Sequence, residues 1–453
     1  MIKRFYATKD NTITNAFEEN LTTRGTGSNM GASDILEVFS IYGQASETSS
    51  ELARALIQFN PDYTGIPSDA KWYLKLFNAP HSQTVPSNFD MVVSAVSQSW
   101  EEGYGMDMEF YEDLTKDGVG SNWINRAAGT AWDTEGGDYH SVSSSTQTFS
   151  TGLEDLEVEV TDIVNEWSSS VWSNYGFGIA LTSSSESETK SFYTKKFFGR
   201  DTEFHFQKPV LEARWDSARK DDRGSFYASS SFASATDNLN TLYLYNRIRG
   251  RLRDYPVAPT SASIRTSADV SLVSAPVSRV DTGIYKAQLA ADTSESTVYD
   301  VWYSGSTAYH TGTISVKNFA SYGYNPEDTY VLSMPGLRNE YKKNQTHRLN
   351  LYVREKNWSP NIYTVAQQSS VASLIIPSAS FQMRRSIDDF VVVPYGTGST
   401  MHTQLSYDVS GNYFDLDTTY LEAGYLYEIQ YSFYDEENGW EEQPYRFKFR
   451  VVD

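Results

Sequence analysis

Apolar and polar residues alternate with a period of two along most of the chain, and this pattern predicts β-strands. In residues 156–160, leucine and valine alternate with acidic residues, which is typical of a strand with one buried face. The period changes at residues 161–167, which predict a short helix that is capped by Thr161 or Asp162 and buries Trp167. The segment 50–59 fits a helix or a strand, so its element stays open.

Short apolar runs separated by turn residues recur along the whole chain, and they predict an all-β fold. The expected architecture is a series of tandem β-sandwiches, jelly-roll-like and immunoglobulin-like, with few short helices. Changes in the pattern predict four sections: a β-sandwich over 1–216, a connector over 217–254, a small immunoglobulin-like domain over 255–320 and a C-terminal β-sandwich over 321–453.

Two local motifs add detail to this division. Residues 281–285 read DTGIY and resemble the tyrosine corner of immunoglobulin-like domains, in which a tyrosine hydroxyl, here that of Tyr285, ties a loop to the backbone. In residues 426–453, two alternating apolar runs flank Asn438 and Gly439, a dipeptide that favours a turn. This segment therefore predicts a hairpin.

The composition agrees with the strand pattern and excludes several kinds of site. Aromatic residues make up 14% of the chain, and such side chains pack well on a pleated sheet. The chain contains no cysteine, which excludes disulfides and thiolate metal sites. Its six histidines are scattered and show no ligand spacing, so we expect no metal, no cofactor and no catalytic residue.

The charge balance concerns the partners of the chain. There are 37 lysines and arginines against 58 aspartates and glutamates, which gives a formal net charge of −21. Duplex binding depends on cationic side chains that neutralise phosphates, so direct nucleic-acid binding is not expected. Residues 1–14 lack the apolar core of a secretory signal, and no apolar run has the length of a spanning helix. We expect synthesis in the cytoplasm of a bacterium and no membrane insertion.

The most acidic stretch lies between Trp100 and Trp123. It carries seven carboxylates, at positions 101, 102, 107, 109, 112, 113 and 117. A calcium loop that began at Asp107 would need glycine at its sixth position, but Glu112 stands there. The stretch therefore predicts a solvated, non-catalytic loop, because charged side chains are rarely buried without partners.

The order of motifs in the first half of the chain resembles the DNRLRE-type domain, a β-sandwich related to carbohydrate-binding modules. The matching segments are ATKDNTIT (7–14), NMGASDILEV (29–38), ELARALIQF (51–59), Trp100 with Glu101, Trp123, Trp132, VEVTDIVNEW (158–167), NYGFGIAL (174–181) and KPVLEARW (208–215). This resemblance implies a sandwich without chemistry of its own, in which Trp100 and Trp123 are framework aromatics. Together with Trp167 they are the expected core anchors of the first sandwich.

Residues 240–256 predict one strand with an unusual basic face. Side chains alternate between the two faces of a strand, so Arg247, Arg249, Arg251 and Arg253 are expected on the same face. Four neighbouring guanidinium groups repel one another unless something anionic lies opposite. Three interpretations stay open: acids of the same chain neutralise the arginines across an interdomain contact, the arginines form an interface with another subunit or partner, where arginine is enriched, or, least favoured, they contact nucleic acid.

The predicted function is that of a non-enzymatic structural component of a tailed bacteriophage particle, in the neck, baseplate, fibre-base or head-decoration class. Residues 411–433 resemble virion structural proteins of marine phages. The expected location is the virion, and the expected partners are other virion proteins, copies of the chain itself and, as a further candidate, a host glycan. The alternative is a carbohydrate-binding surface or adhesion protein, which the DNRLRE resemblance implies.

Overall fold

A computed structural model describes residues 1–106, 119–317, 330–357, 362, 373–435 and 438–453. Within these ranges the protein is built of β-strands with two short α-helices, which confirms the all-β prediction. The chain divides into two compact units. Unit 1 comprises Met1–Asp216 and Gly398–His402, and unit 2 comprises Ser217–Thr397 and Thr403–Asp453. Among the described residues, neither helix has the length and apolarity that crossing a membrane requires.

Unit 1 contains twelve of the described strands and both α-helices. Its elements are β1 (Ile2–Thr14), β2 (Ile35–Tyr42), β3 (Ser50–Phe59), β4 (Lys71–Leu76), β5 (Phe89–Ala95), β6 (Asn125–Ala127), β7 (Thr130–Ala131), β8 (Ser145–Phe149), β9 (Leu156–Glu159), α1 (Thr161–Ser168), β10 (Phe177–Leu181), α2 (Ser183–Glu186), β11 (Phe192–Phe198) and β12 (Val210–Arg214). The ambiguous segment 50–59 is thus a strand.

The first strand, β1, belongs to both layers of the unit 1 sandwich. Residues 2–6 pair antiparallel with β12, and after an irregularity between Ala7 and Lys9 the rest of the strand pairs with β3. One layer continues from β12 to β4 and β9, and the other from β3 to β10, β5 and β8, with β2 and β11 at the side. The main core fills the space between the layers, with Trp72, Leu211, Ile57 and Phe177 among its buried members.

The three tryptophans expected as core anchors are buried, but they lie in two different clusters. Trp167 is 5% exposed and packs its ring 4.7 Å from that of Phe177 in the main core. Trp100 and Trp123 are 3% and 5% exposed and belong to a second, smaller cluster with Trp132. The indole nitrogen of Trp100 donates to the Tyr175 carbonyl at 2.8 Å, which satisfies its polar atom.

Helix α1 begins as predicted, but its expected cap is wrong. The N-cap residue is Val160, and no side chain caps the helix. The hydroxyl of Thr161 instead accepts the Trp72 amide at 3.0 Å and donates to the Glu159 carboxylate at 2.9 Å. The hydroxyl therefore links the helix start to the neighbouring strand, and it is not available to the helix amides.

Unit 2 contains the remaining strands. They are β13 (Phe226–Tyr227), β14 (Asn240–Tyr245), β15 (Arg247–Ile248), β16 (Arg251–Leu252), β17 (Ser261–Arg265), β18 (Ser271–Pro276), β19 (Ser278–Asp281), β20 (Ile284–Leu289), β21 (Thr297–Ser304), β22 (Thr307–Lys317), β23 (Tyr330–Ser333), β24 (Glu340–Lys342), β25 (Thr346–Glu355), β26 (Ala379–Arg385), β27 (Phe390–Val393), β28 (Ser406–Asp408), β29 (Gly411–Asp417), β30 (Leu426–Asp435), β31 (Gly439–Glu442) and β32 (Phe447–Val452).

The segment 217–254, expected as a connector, supplies strands to the immunoglobulin-like part of unit 2. Strand β13 pairs with β22 at the edge of the sheet β13-β22-β21-β17-β18, and β14 pairs with β20 in the sheet β14-β20-β19. Phe226, Leu242 and Leu244 are buried in the core of this part, together with Trp302. These side chains need the sheets that follow them, so the segment is part of the domain.

The C-terminal part of unit 2 contains two further sheets, β23-β25-β29-β28 and β24-β32-β30-β26-β27. The predicted hairpin over 426–453 has one more strand than expected. Strand β31 returns directly along β30, with Gly439 opposite Asp435, and β32 then pairs with the other half of β30. Glu428 and Lys448 are cross-strand partners, and their charged atoms lie 2.8 Å apart.

We predict that Trp167→Ala destabilises unit 1 strongly, because truncation of a buried tryptophan typically costs about 3–5 kcal/mol. The measurement is urea unfolding of the full chain, followed by circular dichroism and fluorescence. Val171→Ala is the control, since Val171 lies just after the same helix but is 67% exposed. An unchanged unfolding midpoint in Trp167→Ala would contradict the assignment of Trp167 as a core anchor.

Candidate interaction surface

The four arginines of the basic segment do not lie on one face of a single strand, as the sequence pattern predicted. Strand β14 ends at Tyr245, and a separate two-stranded hairpin follows in which β15 pairs antiparallel with β16. Arg247 lies opposite Leu252, and Ile248 lies opposite Arg251. Since opposite residues share a face, Arg247 and Arg251 point to opposite sides. We call residues 247–253 the basic hairpin.

The turn of the basic hairpin consists of two residues, Arg249 and Gly250. Their φ angles are 52° and 78°, so both adopt the left-handed region. Two-residue hairpin turns of this kind match the right-handed twist of the flanking strands, and glycine at the second position avoids the steric cost of a Cβ. Arg249 therefore stands at the tip of the hairpin, with its side chain exposed.

The base of the basic hairpin is closed by Asn246 and Arg253. The Arg253 amide donates to the Asn246 carbonyl at 3.1 Å, and the Asn246 side-chain amide donates to the Arg253 carbonyl at 2.6 Å. The Asn246 amide in turn donates to the carbonyl of Gly283 at 2.8 Å. A Cβ at Gly283 would lie 2.7 Å from the Arg253 amide nitrogen, so only glycine permits this close approach.

Asp254 follows the hairpin directly, but its carboxylate is already occupied. It accepts two hydrogen bonds from the Arg279 guanidinium, at 3.0 and 2.9 Å, and one from the Gly283 amide at 2.8 Å. The Tyr285 hydroxyl donates to it at 3.3 Å. The bonds from Arg279, helped by the Gly283 amide, lower the pKa of Asp254 to about 2. This carboxylate therefore anchors the base of the hairpin and does not serve as a counter-ion for its tip.

Tyr285 ties the segment after the hairpin to the sheet. It is 1% exposed, and its hydroxyl accepts the Tyr255 amide at 3.1 Å. The ring of Tyr255 stacks on that of Tyr309 at 4.7 Å. The hydroxyl thus makes the kind of loop-to-backbone contact that a tyrosine corner makes, and it holds the chain immediately after the basic hairpin.

All four arginines of the basic hairpin are exposed. Among the described residues, no carboxylate forms an ion pair with Arg247, Arg249, Arg251 or Arg253, whereas Arg219, Arg265, Arg279 and Arg385 each have an acidic partner. Ile248 beside them is 48% exposed. The described part of the chain therefore gives no support to the interpretation that its own acids neutralise these arginines.

The acidic stretch between Trp100 and Trp123 is described only at its ends. Glu101 is exposed, while Glu102 accepts the Asp10 amide at 2.8 Å and lies 3.2 Å from the Arg200 guanidinium. Positions 107, 109, 112, 113 and 117 lie outside the described residues, so the prediction of a solvated loop stays a prediction. In the part of the chain that is described, no cluster of three or more histidine and acidic side chains is arranged to hold a metal ion.

Sequence comparison yields no family. No family model matches the chain, and no curated protein matches it.

The position of the basic hairpin was missed by the sequence analysis, although the Gly250 in its middle is a turn signal. The anchoring residues Asn246, Asp254, Gly283 and Arg279 carry no sequence signal of their own, because they meet only in the folded sheet.

Several solved structures resemble parts of the chain weakly. They include the adhesin InvE of Yersinia pseudotuberculosis (13% identity, 47% of this chain and 54% of that one, TM-score 0.16), an alpha-2-macroglobulin of Escherichia coli (10%, 88% and 24%, 0.18) and the Ig1-2 module of the Drosophila receptor tyrosine phosphatase DLAR (12%, 48% and 91%, 0.15). The chain spans about half of the adhesin and about a quarter of the macroglobulin. At these TM-scores the similarities carry no argument about function.

We predict that the base of the basic hairpin loosens as the pH falls from about 4 to about 2. The lowered pKa of Asp254 means that its stabilising contacts are fully present above the pKa of the unfolded chain and are lost on protonation of the folded state. The amides of the peptide spanning 277–289, which contains Gly283, are therefore expected to lose protection in this pH window, measured relative to their intrinsic exchange rate at each pH. Asp254→Asn is expected to show fast exchange already at pH 7.

The control for this measurement is Asp269→Asn. It removes one charge from another hairpin of unit 2, where Asp269 is 83% exposed and pairs with Arg265. Exchange of 277–289 that is the same in wild type and Asp254→Asn at pH 7 would show that the carboxylate does not anchor the hairpin.

Proposed function

We propose that the chain is a non-enzymatic structural component of a tailed bacteriophage particle, and that it assembles by docking its basic hairpin on an acidic surface of a neighbouring subunit. The observation that carries the proposal is the exposed basic hairpin, whose four arginines have no ion pair among the described residues. The resemblance of residues 411–433 to virion structural proteins of marine phages supports the choice of particle.

The four arginines of the basic hairpin are electrostatically unfavourable while the hairpin has no partner. Four guanidinium groups within seven residues repel one another, and the repulsion is reduced only by water and salt while the hairpin is free. A carboxylate of a partner removes this repulsion and accepts paired hydrogen bonds from a guanidinium. Binding is therefore expected to weaken as the salt concentration rises.

The basic hairpin is held in one conformation by its own chain before it binds a partner. Asn246, Asp254 and Tyr285 hold the base of the hairpin through hydrogen bonds, and the two-residue turn leaves little freedom at its tip. A segment that is ordered before binding loses less conformational entropy on docking than a flexible tail. The hairpin therefore has the properties of a specific contact element and not only those of a solvated charge cluster.

Another copy of the chain has the negative charge that a partner of the basic hairpin needs. Copies of the chain carry a net charge of −21, so each copy offers acidic surface to the basic hairpin of another. Complementary charge of this kind raises the rate of encounter and selects the register of an interface. An exposed apolar side chain between the arginines, Ile248, adds area that is buried when the hairpin docks.

We predict that the double reversal Arg249→Glu with Arg251→Glu abolishes assembly, because breaking buried charge pairs from one side typically costs about 3–5 kcal/mol. The readouts are sedimentation velocity and negative-stain imaging, with circular dichroism to establish that the variant folds. The matched control is Lys342→Glu with Lys356→Glu, which produces the same change of charge at two exposed positions of unit 2.

The proposal requires that the hairpin variant stays a folded monomer while the control assembles like the wild type. Equal assembly of wild type, hairpin variant and control would overturn it. A glycan-array screen tests the alternative function in parallel. Binding of wild type and hairpin variant to the same glycan, with no self-assembly of either, would favour a carbohydrate-binding adhesion protein instead.

A further inference from the structure

Unit 1 contains a cavity that is lined by acidic and aromatic side chains. Its volume is about 310 Å³, and it lies where β1, β2 and β3 meet the segment that follows β1. Two acidic residues, Glu37 and Glu51, and three aromatic residues, Phe17, Phe39 and Tyr193, are part of its lining. The volume is at the lower end of the range of natural ligand pockets, which suits a single side chain or a small molecule.

Glu51 is the group in the cavity wall that lacks a full set of partners. The residue is 2% exposed, and its Oε2 accepts the amide of Phe17 at 2.8 Å. Its Oε1 is also buried, and it accepts no hydrogen bond from the described residues. A buried carboxylate oxygen without a donor is unfavourable by more than a neutral hydrogen bond contributes, so the Glu51 carboxylate gains from a donor that enters the cavity.

The cations near the cavity are engaged elsewhere. Lys196 pairs with Glu37 at 2.5 Å and so neutralises the second acid of the lining. Arg24 stacks over the ring of Phe17, and its guanidinium donates to the carbonyls of Asn15 and Ser50 at 2.7 and 2.8 Å. Among the described residues, Glu51 forms no ion pair with either of these cations.

The aromatic lining determines the chemistry of the ligand. The rings of Phe39 and Tyr193 lie 5.9 Å apart, and Ile41 faces Glu51 directly across the β2 and β3 pairing. Aromatic faces attract organic cations, and a carboxylate beside them adds charge-assisted hydrogen bonds. A divalent metal ion is disfavoured, since no group of three acidic or histidine ligands meets among the described residues.

We infer that this cavity is a receptor for an organic cation, a guanidinium or alkylammonium group whose N–H donates to the carboxylate of Glu51. The cation has two sources with the same chemistry: a free amine or guanidine, and an arginine or lysine side chain of a protein partner. The basic hairpin of a second copy is such a partner. The site itself does not depend on the proposed function, because it stands on the cavity and its carboxylate.

The experiment measures binding of L-argininamide to the full chain by isothermal titration calorimetry and by thermal shift. We expect saturable binding that raises the melting temperature of unit 1. In Glu51→Gln the binding is expected to weaken roughly tenfold or more, because the ligand loses a charge-assisted partner. Glu47→Gln is the control, since it removes an exposed acid close in sequence to the lining and should leave binding unchanged.

A second variant tests the site without removing the carboxylate. Ile41→Arg places a guanidinium opposite Glu51 on the neighbouring strand, so it is expected to fill the site from within and to abolish argininamide binding. A second titrant, a peptide with the sequence of residues 245–255, distinguishes the sources. Tighter binding of this peptide than of argininamide, lost when its arginines are replaced by glutamine, identifies the hairpin of another copy as the occupant.

The inference is overturned if argininamide shows no saturable binding, or if Glu51→Gln binds it as tightly as wild type. It is also overturned if a neutral sugar binds the cavity and argininamide does not displace it. Its failure is separate from that of the assembly proposal. Assembly that persists in Glu51→Gln but is lost in the hairpin variant shows that the hairpin docks on a different acidic surface, while argininamide binding still decides the cavity.

Discussion

The occupation of Asp254 is the constraint on which the candidate interaction surface depends. Asp254 is the acid nearest in sequence to the basic hairpin, and it would be the simplest counter-ion for the four arginines. Its oxygens are instead filled by the guanidinium of Arg279, the amide of Gly283 and the hydroxyl of Tyr285. The same contacts that make the base of the hairpin rigid therefore leave the charge of its tip without a partner in the described part of the chain.

The residues that hold the base of the basic hairpin are thus different from the arginines that we propose contact a partner. Arginines that pair with fully buried carboxylates, such as Arg223 with Asp300 or Arg214 with Glu212, stabilise the units to which they belong. The arginines of the hairpin have no such role. The exposed arginines of the hairpin and the Glu51 carboxylate in its cavity have no ion pair among the described residues, and they are the groups through which we propose that the chain binds partners.

The all-β fold and many of its elements could be predicted from the sequence, because strands of period two and turn dipeptides are local signals. The pattern of residues 156–167 predicted the order of strand and helix correctly, and that of 426–453 placed Asn438 in the turn that precedes β31. The cap of α1 was misassigned because the hydroxyl of Thr161 bonds to Trp72, which is distant in sequence. Local patterns carry no information about such partners.

The prediction of one strand over residues 240–256 was wrong for the same reason, since it used only the local pattern. Apolar residues recur at even positions from Leu242 to Leu252, with only Asn246 and Gly250 as exceptions, so period alone predicted one strand and the turn at Gly250 was missed. The contacts that end β14 come from Gly283, on a strand pair formed later in the chain. The cavity beside Glu51 was not predicted either, because its lining is assembled from several separate segments of unit 1.

Site-specific photocrosslinking tests the central claim most directly. The chain has no cysteine, so Ile248→Cys supplies a single thiol at an exposed position of the basic hairpin, which a benzophenone maleimide labels uniquely. After assembly and irradiation, mass spectrometry identifies what the hairpin touches. We predict crosslinks to peptides of a second chain that are rich in aspartate or glutamate. These crosslinks are expected to disappear at high salt. Crosslinks confined to the same chain would contradict it.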